Sequence, residues 1–329
     1  MNVLITGGTG FIGSRLGLRC IASGHAVRIL GQENTPAESS NRKLLEEKGA
    51  RILLASVTRK ELPSELLQDI DVVYHLAAAQ HEVNVPDQVF WDVNVKGTMN
   101  LLAASVNAGV KRFVHGSTIG VYGSAMEGLI DEKSGLDPDN IYGKTKLEGE
   151  SVVLSFKDKL PVVIIRIPET YGPGDRRLLK LFKAIRKCVF IMIGNGKNLH
   201  HLIHIDDLID ALFLAAENPE AVGNIFVVAG KEPITTNDMA AVIARQVGGK
   251  IPGVRLPLFP LLVLATVVEK SLQPFGIKPP IHRRRMDFFR KSYAFSQGKA
   301  EKILGFQPKI PFSEGIASTA AWYRGMNFL

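Results

Sequence analysis

The chain has 329 residues, 46% of them hydrophobic and 22% charged, with a net charge of +8 and a pI near 9.4. A chain of that length buries a full core without metal or disulfide staples. Its two cysteines, Cys20 and Cys188, have no metal-ligand spacing, which excludes a disulfide scaffold or zinc module and makes a reducing, cytoplasmic compartment the expectation.

The basic balance favours anionic partners. No Lys/Arg run interleaved with aromatics points to nucleic acid, and the first residues do not read as a signal peptide. Short, nearly continuous Val/Ile/Leu runs lie at 2–6, 26–30, 51–54, 72–76, 111–115 and 161–167. Such runs suit parallel strands buried on both faces. Helical patterns at 11–23, 38–48, 92–108 and 139–156 separate them. This alternation predicts βαβ units and a doubly wound α/β sheet. Further on, 206–217 reads as a helix, 224–229 as a late strand, and 235–247 as a helix opened by Thr235-Thr236-Asn237-Asp238. The expected organisation is a Rossmann-type domain over 1–167, completed by about 206–230. Segments 168–205 and 231–329 would form a smaller substrate lobe over the carboxyl edge of the sheet, where ligands bind in open α/β sheets.

Between the first strand and first helix stands Thr6-Gly7-Gly8-Thr9-Gly10-Phe11-Ile12-Gly13. Gly7 permits the sharp turn, Gly10 lets a pyrophosphate approach backbone, and Gly13 lets the helix pack on the strand. The helix N-terminus then offers free N–H groups to the phosphates. Gly7, Thr9, Gly10, Phe11, Ile12 and Gly13 are therefore the expected contacts of a dinucleotide. An acid that would hold the adenosine ribose is expected at the end of the second strand. Gly31-Gln32 stands there, and Glu33 lies two residues too far on. With Arg15, Arg42 or Lys43 as sources of attraction for a 2′-phosphate, the pattern leans from NAD toward NADP.

Tyr142 and Lys146 are i and i+4 at the start of a predicted helix, hence on one face. An ammonium beside a phenol favours the phenolate, which suits Tyr142 to act as general acid or base. Lys146 can also donate to ribose hydroxyls.

The glycine loop, Tyr74-His75-Leu76-Ala77-Ala78, Asn94-Val95-Lys96-Gly97-Thr98, Ser117-Thr118, Val121-Tyr122-Gly123, Tyr142 with Lys146, Tyr171-Gly172-Pro173-Gly174-Asp175 and His204-Ile205-Asp206-Asp207 together resemble the extended short-chain dehydrogenase/reductase family, also called the NAD-dependent epimerase/dehydratase family, over nearly the whole chain. The resemblance implies that Thr118 orients the reacting oxygen near Tyr142. It implies that Asn94 supports its helix or a water relay, that Leu76, Ala77 and Ala78 let backbone pass close to the cofactor, and that Pro168 lies beside the nicotinamide. It also implies a homodimer through helices 92–108 and 139–156, and it makes Ser117 structural.

Departures from the family narrow the chemistry. Family dehydratases carry an Asp-Glu pair after the catalytic Thr; Ile119 and Gly120 stand here, which counts against loss of water. Nucleotide-sugar members place an Asn where Glu169 stands and often an Arg where His200 stands, so a pyrophosphate-bearing substrate is disfavoured. Residues 279–295, opening with Pro279-Pro280-Ile281-His282-Arg283-Arg284-Arg285, resemble the 3β-hydroxysteroid-dehydrogenase-like and dihydroflavonol-reductase-like branch, as do Ala294-Phe295-Ser296 and Leu304-Gly305-Phe306-Gln307-Pro308. The apolar run 256–268 is too short to span a bilayer. It reads as a core helix, with a substrate-covering or membrane-touching helix as the alternative. His200, His201 and His204 lack the spacing of a metal site. The leading expectation is an NAD(P)-dependent oxidoreductase acting on a secondary alcohol or ketone. A nucleotide-sugar epimerase is second, and a non-catalytic dinucleotide-binding redox sensor third.

Overall fold

The computed structural model describes residues 1–59, 62–80, 85–124, 128–272 and 283–329. Its centre is a seven-stranded sheet. In chain order the strands are β1 (Asn2–Thr6), β2 (Ala26–Gly31), β3 (Arg51–Leu54), β4 (Val72–His75), β5 (Arg112–Thr118), β6 (Val162–Ile167) and β7 (Ile225–Val227). They lie in the spatial order β7-β6-β5-β4-β1-β2-β3, all parallel. The order reverses beside β1, and that switch point opens a crevice at the carboxyl ends of the strands.

The strands are apolar throughout because both faces are covered. Val3 and Ile5 pack in one core cluster and Leu4 in the other; Val72 and Tyr74 are likewise divided from Val73, and Val163 and Ile165 from Val162 and Ile164. One face is covered by helices α1 (Phe11–Ala22) and α6 (Ile205–Glu217), the other by α3 (Thr98–Asn107) and α4 (Ile141–Ser155). Helix α2 (Pro36–Glu47), capped by the Thr35 hydroxyl, packs against α1. Complete burial of each Val, Leu or Ile contributes about 1.5–3 kcal/mol, so this double cover dominates the stability of the sheet.

Two local features differ from the pattern read in the sequence. The stretch expected as one helix over 92–108 begins with a π-helical turn, Asp92–Gly97, which follows a short helix, Asp87–Trp91. A π turn accommodates an extra residue and turns side chains off their α-helical positions, often at functional sites. Strand β5 also runs on through Gly116, Ser117 and Thr118, three residues past the apolar run, because β6 keeps pairing with it to Ile167.

A third core cluster, away from the sheet, contains Tyr171, Phe182, Ile185, Met239, Ile243, Ile316 and Tyr323. It is built from α5 (Leu179–Arg186), α7 (Thr236–Val247) and α10 (Phe312–Gly325), with short strand pairs such as Met192–Ile193 against Arg255–Leu256. Ala300, Leu304 and Phe306 instead return to the core of the sheet. The apolar run at 256–268 lies in α8 (Leu258–Leu272), followed by α9 (Arg283–Arg290). It is not the core helix that its composition suggested: Phe259, Val263, Leu264 and Val267 are exposed, and Ala265 is buried. Among the described residues no helix is long and apolar enough to cross a membrane. Residues 279–282 of the C-terminal resemblance lie outside the described residues.

Candidate functional site

The crevice, about 670 Å³, is lined by Gly7, Thr9, Gly10, Phe11, Ile12, Gly13, Leu76, Ala77, Ala78, Thr118, Tyr142 and Pro168. Twelve of the fourteen residues singled out from the sequence thus share one cavity; Lys146 and Asn94 stand behind its wall. Gly7 has φ +69°, and a Cβ there would meet the Leu76 carbonyl and Ala77 nitrogen at 2.8 Å. A Cβ on Gly13 would run into the Gly7 carbonyl. The loop is therefore closed tightly on β1 and α1, and only its open side faces the crevice. Gly10 caps α1 without a side-chain hydrogen bond, and no acid stands in the first turn. That leaves N–H donors and the positive end of the helix dipole for an anion, which fits a dinucleotide pyrophosphate.

The adenosine end of the crevice is bordered by Gly31, Gln32, Asn34, Thr35 and Glu38. Gly31 has a structural reason to lack a side chain, since its Cβ would meet Thr9 Oγ1 at 2.6 Å. The basic residues offered for a 2′-phosphate are engaged elsewhere. Arg42 pairs with Glu33 at 2.8 Å and Glu46 at 2.7 Å, and Arg15 pairs with Asp206 at 3.3 Å. The lean toward NADP loses those two sources of attraction, and Lys43 is left as an exposed helix residue.

At the other end Tyr142 sits in the first turn of α4, whose start is fixed by Asn140 Oδ1 accepting from Gly143 N at 3.0 Å. Thr118 ends β5. Its Oγ1 accepts from Gly120 N at 3.1 Å, which leaves its hydroxyl proton to donate into the crevice. Lys146 is one helical turn below Tyr142 and 1% exposed. Its Nζ donates to the Gly116 carbonyl at 2.7 Å and lies 3.2 Å from His115 Nε2. Burial pushes the Lys146 ammonium down to about 8, with the Glu150 charge opposing the shift.

Asn94 reaches the joint behind the crevice, not the crevice itself. Its Oδ1 accepts from Ala79 N at 2.9 Å, and its Nδ2 donates to Ala79 O at 3.1 Å and Thr145 Oγ1 at 2.9 Å. Placed by the π turn, it clamps the loop after β4 to α4. Both of its amide hydrogens and one lone pair of its oxygen are in use, which fits a positioning role.

Several residues of this site were not singled out. Glu150 and Arg166 form a buried ion pair at 2.8 Å, and the Ser117 hydroxyl donates to the same carboxylate. Tyr142, Lys146 and Glu150 repeat every four residues, and Arg166 interrupts an apolar strand; those were the available signals. His75 joins Thr6 Oγ1 at 2.7 Å and Thr98 Oγ1 at 2.9 Å. Thr98 donates to Asn94 O, so the network assigns the His75 proton to Nε2. Burial pushes His75 down to about 3, and burial together with the Lys146 charge pushes His115 well below its ordinary value.

The substrate end is marked by Glu169, whose carboxylate lies 3.3 Å from His200 Nδ1. The Glu169 side chain is half exposed at the rim; partial desolvation works against its charge, yet the His200 hydrogen bond and the charges of His200 and Arg177 outweigh it and hold the carboxyl below its usual range. His201 bonds Gly230 O and Phe295 N, and His204 Nδ1 caps α6 by accepting from Asp206 N. These histidines hold structure together, and among the described residues no group of His, Cys, Asp and Glu is placed to hold a metal ion.

The family model described as "NAD dependent epimerase/dehydratase family" matches residues 3–229. The chain is 29% identical over 286 residues to 3beta-hydroxysteroid-dehydrogenase/decarboxylase isoform 2 of Arabidopsis thaliana, a match covering 80% of this chain and 50% of that protein. It therefore spans about half the length of that relative. It is 27% identical to the N-acetyl-alpha-D-glucosaminyl-diphospho-ditrans,octacis-undecaprenol 4-epimerase of Escherichia coli O157:H7, covering 97% and 94% of the two chains. Among solved structures, UDP-glucuronic acid 4-epimerase from Bacillus cereus in complex with NAD matches with a TM-score of 0.82 at 25% identity, covering 99% of each chain.

Proposed function

Because the chain belongs to the NAD-dependent epimerase/dehydratase family, we propose that it is an NAD-dependent oxidoreductase of a secondary alcohol or ketone. The single observation that carries this reading is the convergence of Tyr142, Thr118 and Pro168 on one end of a glycine-floored crevice, with a buried Lys146 one turn beneath. A nicotinamide dinucleotide held by Gly7, Thr9, Gly10, Phe11, Ile12, Gly13, Leu76, Ala77 and Ala78 supplies the hydride donor or acceptor. NAD fits better than NADP, because Arg15 and Arg42 are paired with acids.

The chain's own residues then handle the proton. Thr118 donates its free hydroxyl hydrogen to the reacting oxygen and holds it toward Tyr142. Tyr142 gives or takes the proton, and the buried Lys146 charge favours its phenolate. Ile119 and Gly120 bring no acid to this end, so elimination of water is not supported. The family resemblance makes helices 92–108 and 139–156 the contact of a homodimer.

The substrate end favours an uncharged, largely apolar molecule. An ionised Glu169 beside Pro168 repels a pyrophosphate, and the plant relative's printed activity concerns a steroid. The epimerase reading has its own support: the bacterial relative and the Bacillus structure are named as epimerases, and Arg177 lines the same end of the crevice. Assaying the protein with NAD and panels of hydroxysteroids, aliphatic ketones and UDP-sugars separates the two. Net NADH formation or consumption is expected, whereas sugar interconversion without a net cofactor change refutes the dehydrogenase. Tyr142→Phe is expected to lower turnover roughly 10²–10⁴-fold while leaving NAD binding intact. Near-normal turnover would remove the mechanism.

A further inference from the structure

The outer face of the third core cluster's lobe presents a surface that the crevice chemistry does not use. Arg255–Leu256 pairs in parallel with Met192–Ile193. This pairing brings Val189 and Ile191 beside Val254 and Leu256, and all four are exposed, Val189 at 62%. The next element is α8, where Phe259, Val263 and Val267 recur every four residues and so share one face. These side chains are also exposed, Phe259 at 75%. Single exposed apolar residues are ordinary, but a run of them on adjoining segments marks an interaction site.

The segments that build this patch are basic, although Asp238 and Glu269 stand at their edges. Residues 176–205 and 239–268 contain ten Lys and Arg and no Asp or Glu, and all ten are exposed. The whole chain carries only +8, so its positive excess resides in these two segments and the remainder is net acidic. The segments are packed together. A Cβ on Gly249 would strike the Ile185 carbonyl, and Lys250 N donates to Cys188 Sγ at 3.4 Å. That contact sets Lys250 beside Lys187, while Arg255 lies within the patch strand itself.

Charge selects the occupant. A second copy docked on the same face would set cations against cations. An acidic bilayer surface satisfies both features, with acyl chains receiving the Phe259 stripe and headgroup phosphates receiving the Lys and Arg side chains. Helix α8 has 15 residues, about 22 Å, short of the roughly 30 Å hydrocarbon core. We propose that this face docks the protein peripherally on an anionic phospholipid membrane, with α8 lying in the interface plane. The inference is independent of the catalytic reading: Lys187, Lys250, Phe259 and Val263 lie outside the crevice, and Arg177, which lines it, is not needed for the patch.

The test is flotation of the purified chain with vesicles of phosphatidylcholine alone or with roughly 30% phosphatidylglycerol, at low and high salt. Binding is expected to the acidic vesicles, weakened by salt, and absent from the neutral ones. Lys187→Ala/Lys250→Ala should weaken it roughly thirty-fold. Phe259→Ser/Val263→Ser should weaken it as well, and both pairs should keep the wild-type Tm because the side chains are exposed. Failure to bind acidic vesicles overturns the proposal. So does undiminished, wild-type binding by either variant, binding of duplex DNA in place of vesicles, or a dimer that dissociates on Phe259→Ser.

Discussion

Replacing Glu150 by Gln preserves the shape of the side chain and removes its charge. In the wild type Arg166 Nε donates to Glu150 Oε1 at 3.0 Å and Arg166 Nη2 to Oε2 at 2.8 Å, with Arg166 Nη1 on the Tyr122 hydroxyl at 2.8 Å. Arg166 is 1% exposed and Glu150 2%. Burial opposes the Arg166 charge, and the Glu150 hydrogen bonds and charge outweigh that opposition. Gln leaves the guanidinium buried without a counter-charge and turns an N–H group toward it, a loss of about 3–5 kcal/mol. Against a total stability of about 5–15 kcal/mol, that should lower Tm by roughly 4–7 °C for a chain of 329 residues. Calorimetry measures this, and Glu150→Gln/Arg166→Met should recover most of it, because an apolar replacement removes the stranded charge as well. The same variant also bears on the catalytic helix. Glu150 supports the Lys146 charge, so its loss should move the Lys146 titration below its present value of about 8 and shift the alkaline limb of the pH–rate profile to lower pH. A melting temperature within experimental scatter of wild type, or an unmoved alkaline limb, would refute the reasoning.

Asn94→Ala should cost about 2–4 kcal/mol in urea denaturation, since it strands Ala79 N and Ala79 O and leaves Thr145 Oγ1 only its bonds within its own helix; full stability combined with a large loss of kcat would instead make Asn94 catalytic. His75 and His115 are held neutral by burial, so the unfolded chain binds protons that the native chain does not, and stability should fall as pH drops below 6.5 toward the His75 value of about 3. The His75 share of that loss between pH 7 and pH 5 is about 2 kcal/mol, with His115 adding in the same direction, and a urea midpoint unchanged over that interval would contradict it. Calorimetric titration should find NAD bound more tightly than NADP. Glu33→Ala/Glu46→Ala, which releases Arg42, should narrow the gap, and an unaltered ratio would show that Arg42 does not reach the ribose.

Much of this protein was legible in its sequence because the signals are local. Buried parallel strands need unbroken apolar runs, a phosphate-binding turn needs glycine at Gly7 and Gly13, and one helical turn sets Tyr142 over Lys146. What escaped depends on partners far apart in the chain. Arg15 looked available until α6 brought Asp206 to it, 191 residues away, and Asn94 became a clamp because a π turn aims it at Ala79 and Thr145. The helix at 258–272 shows the limit most clearly. Its composition says that it is apolar, but whether an apolar helix is core or surface is decided by what packs on it. Here the short pairing of 192–193 with 255–256 leaves its Phe259 face toward solvent, beside segments rich in Lys and Arg. Periodicity and turn chemistry determine which elements form and where a dinucleotide can lie; only the three-dimensional arrangement decides which charges are neutralised, which polar groups are buried and which apolar face remains uncovered.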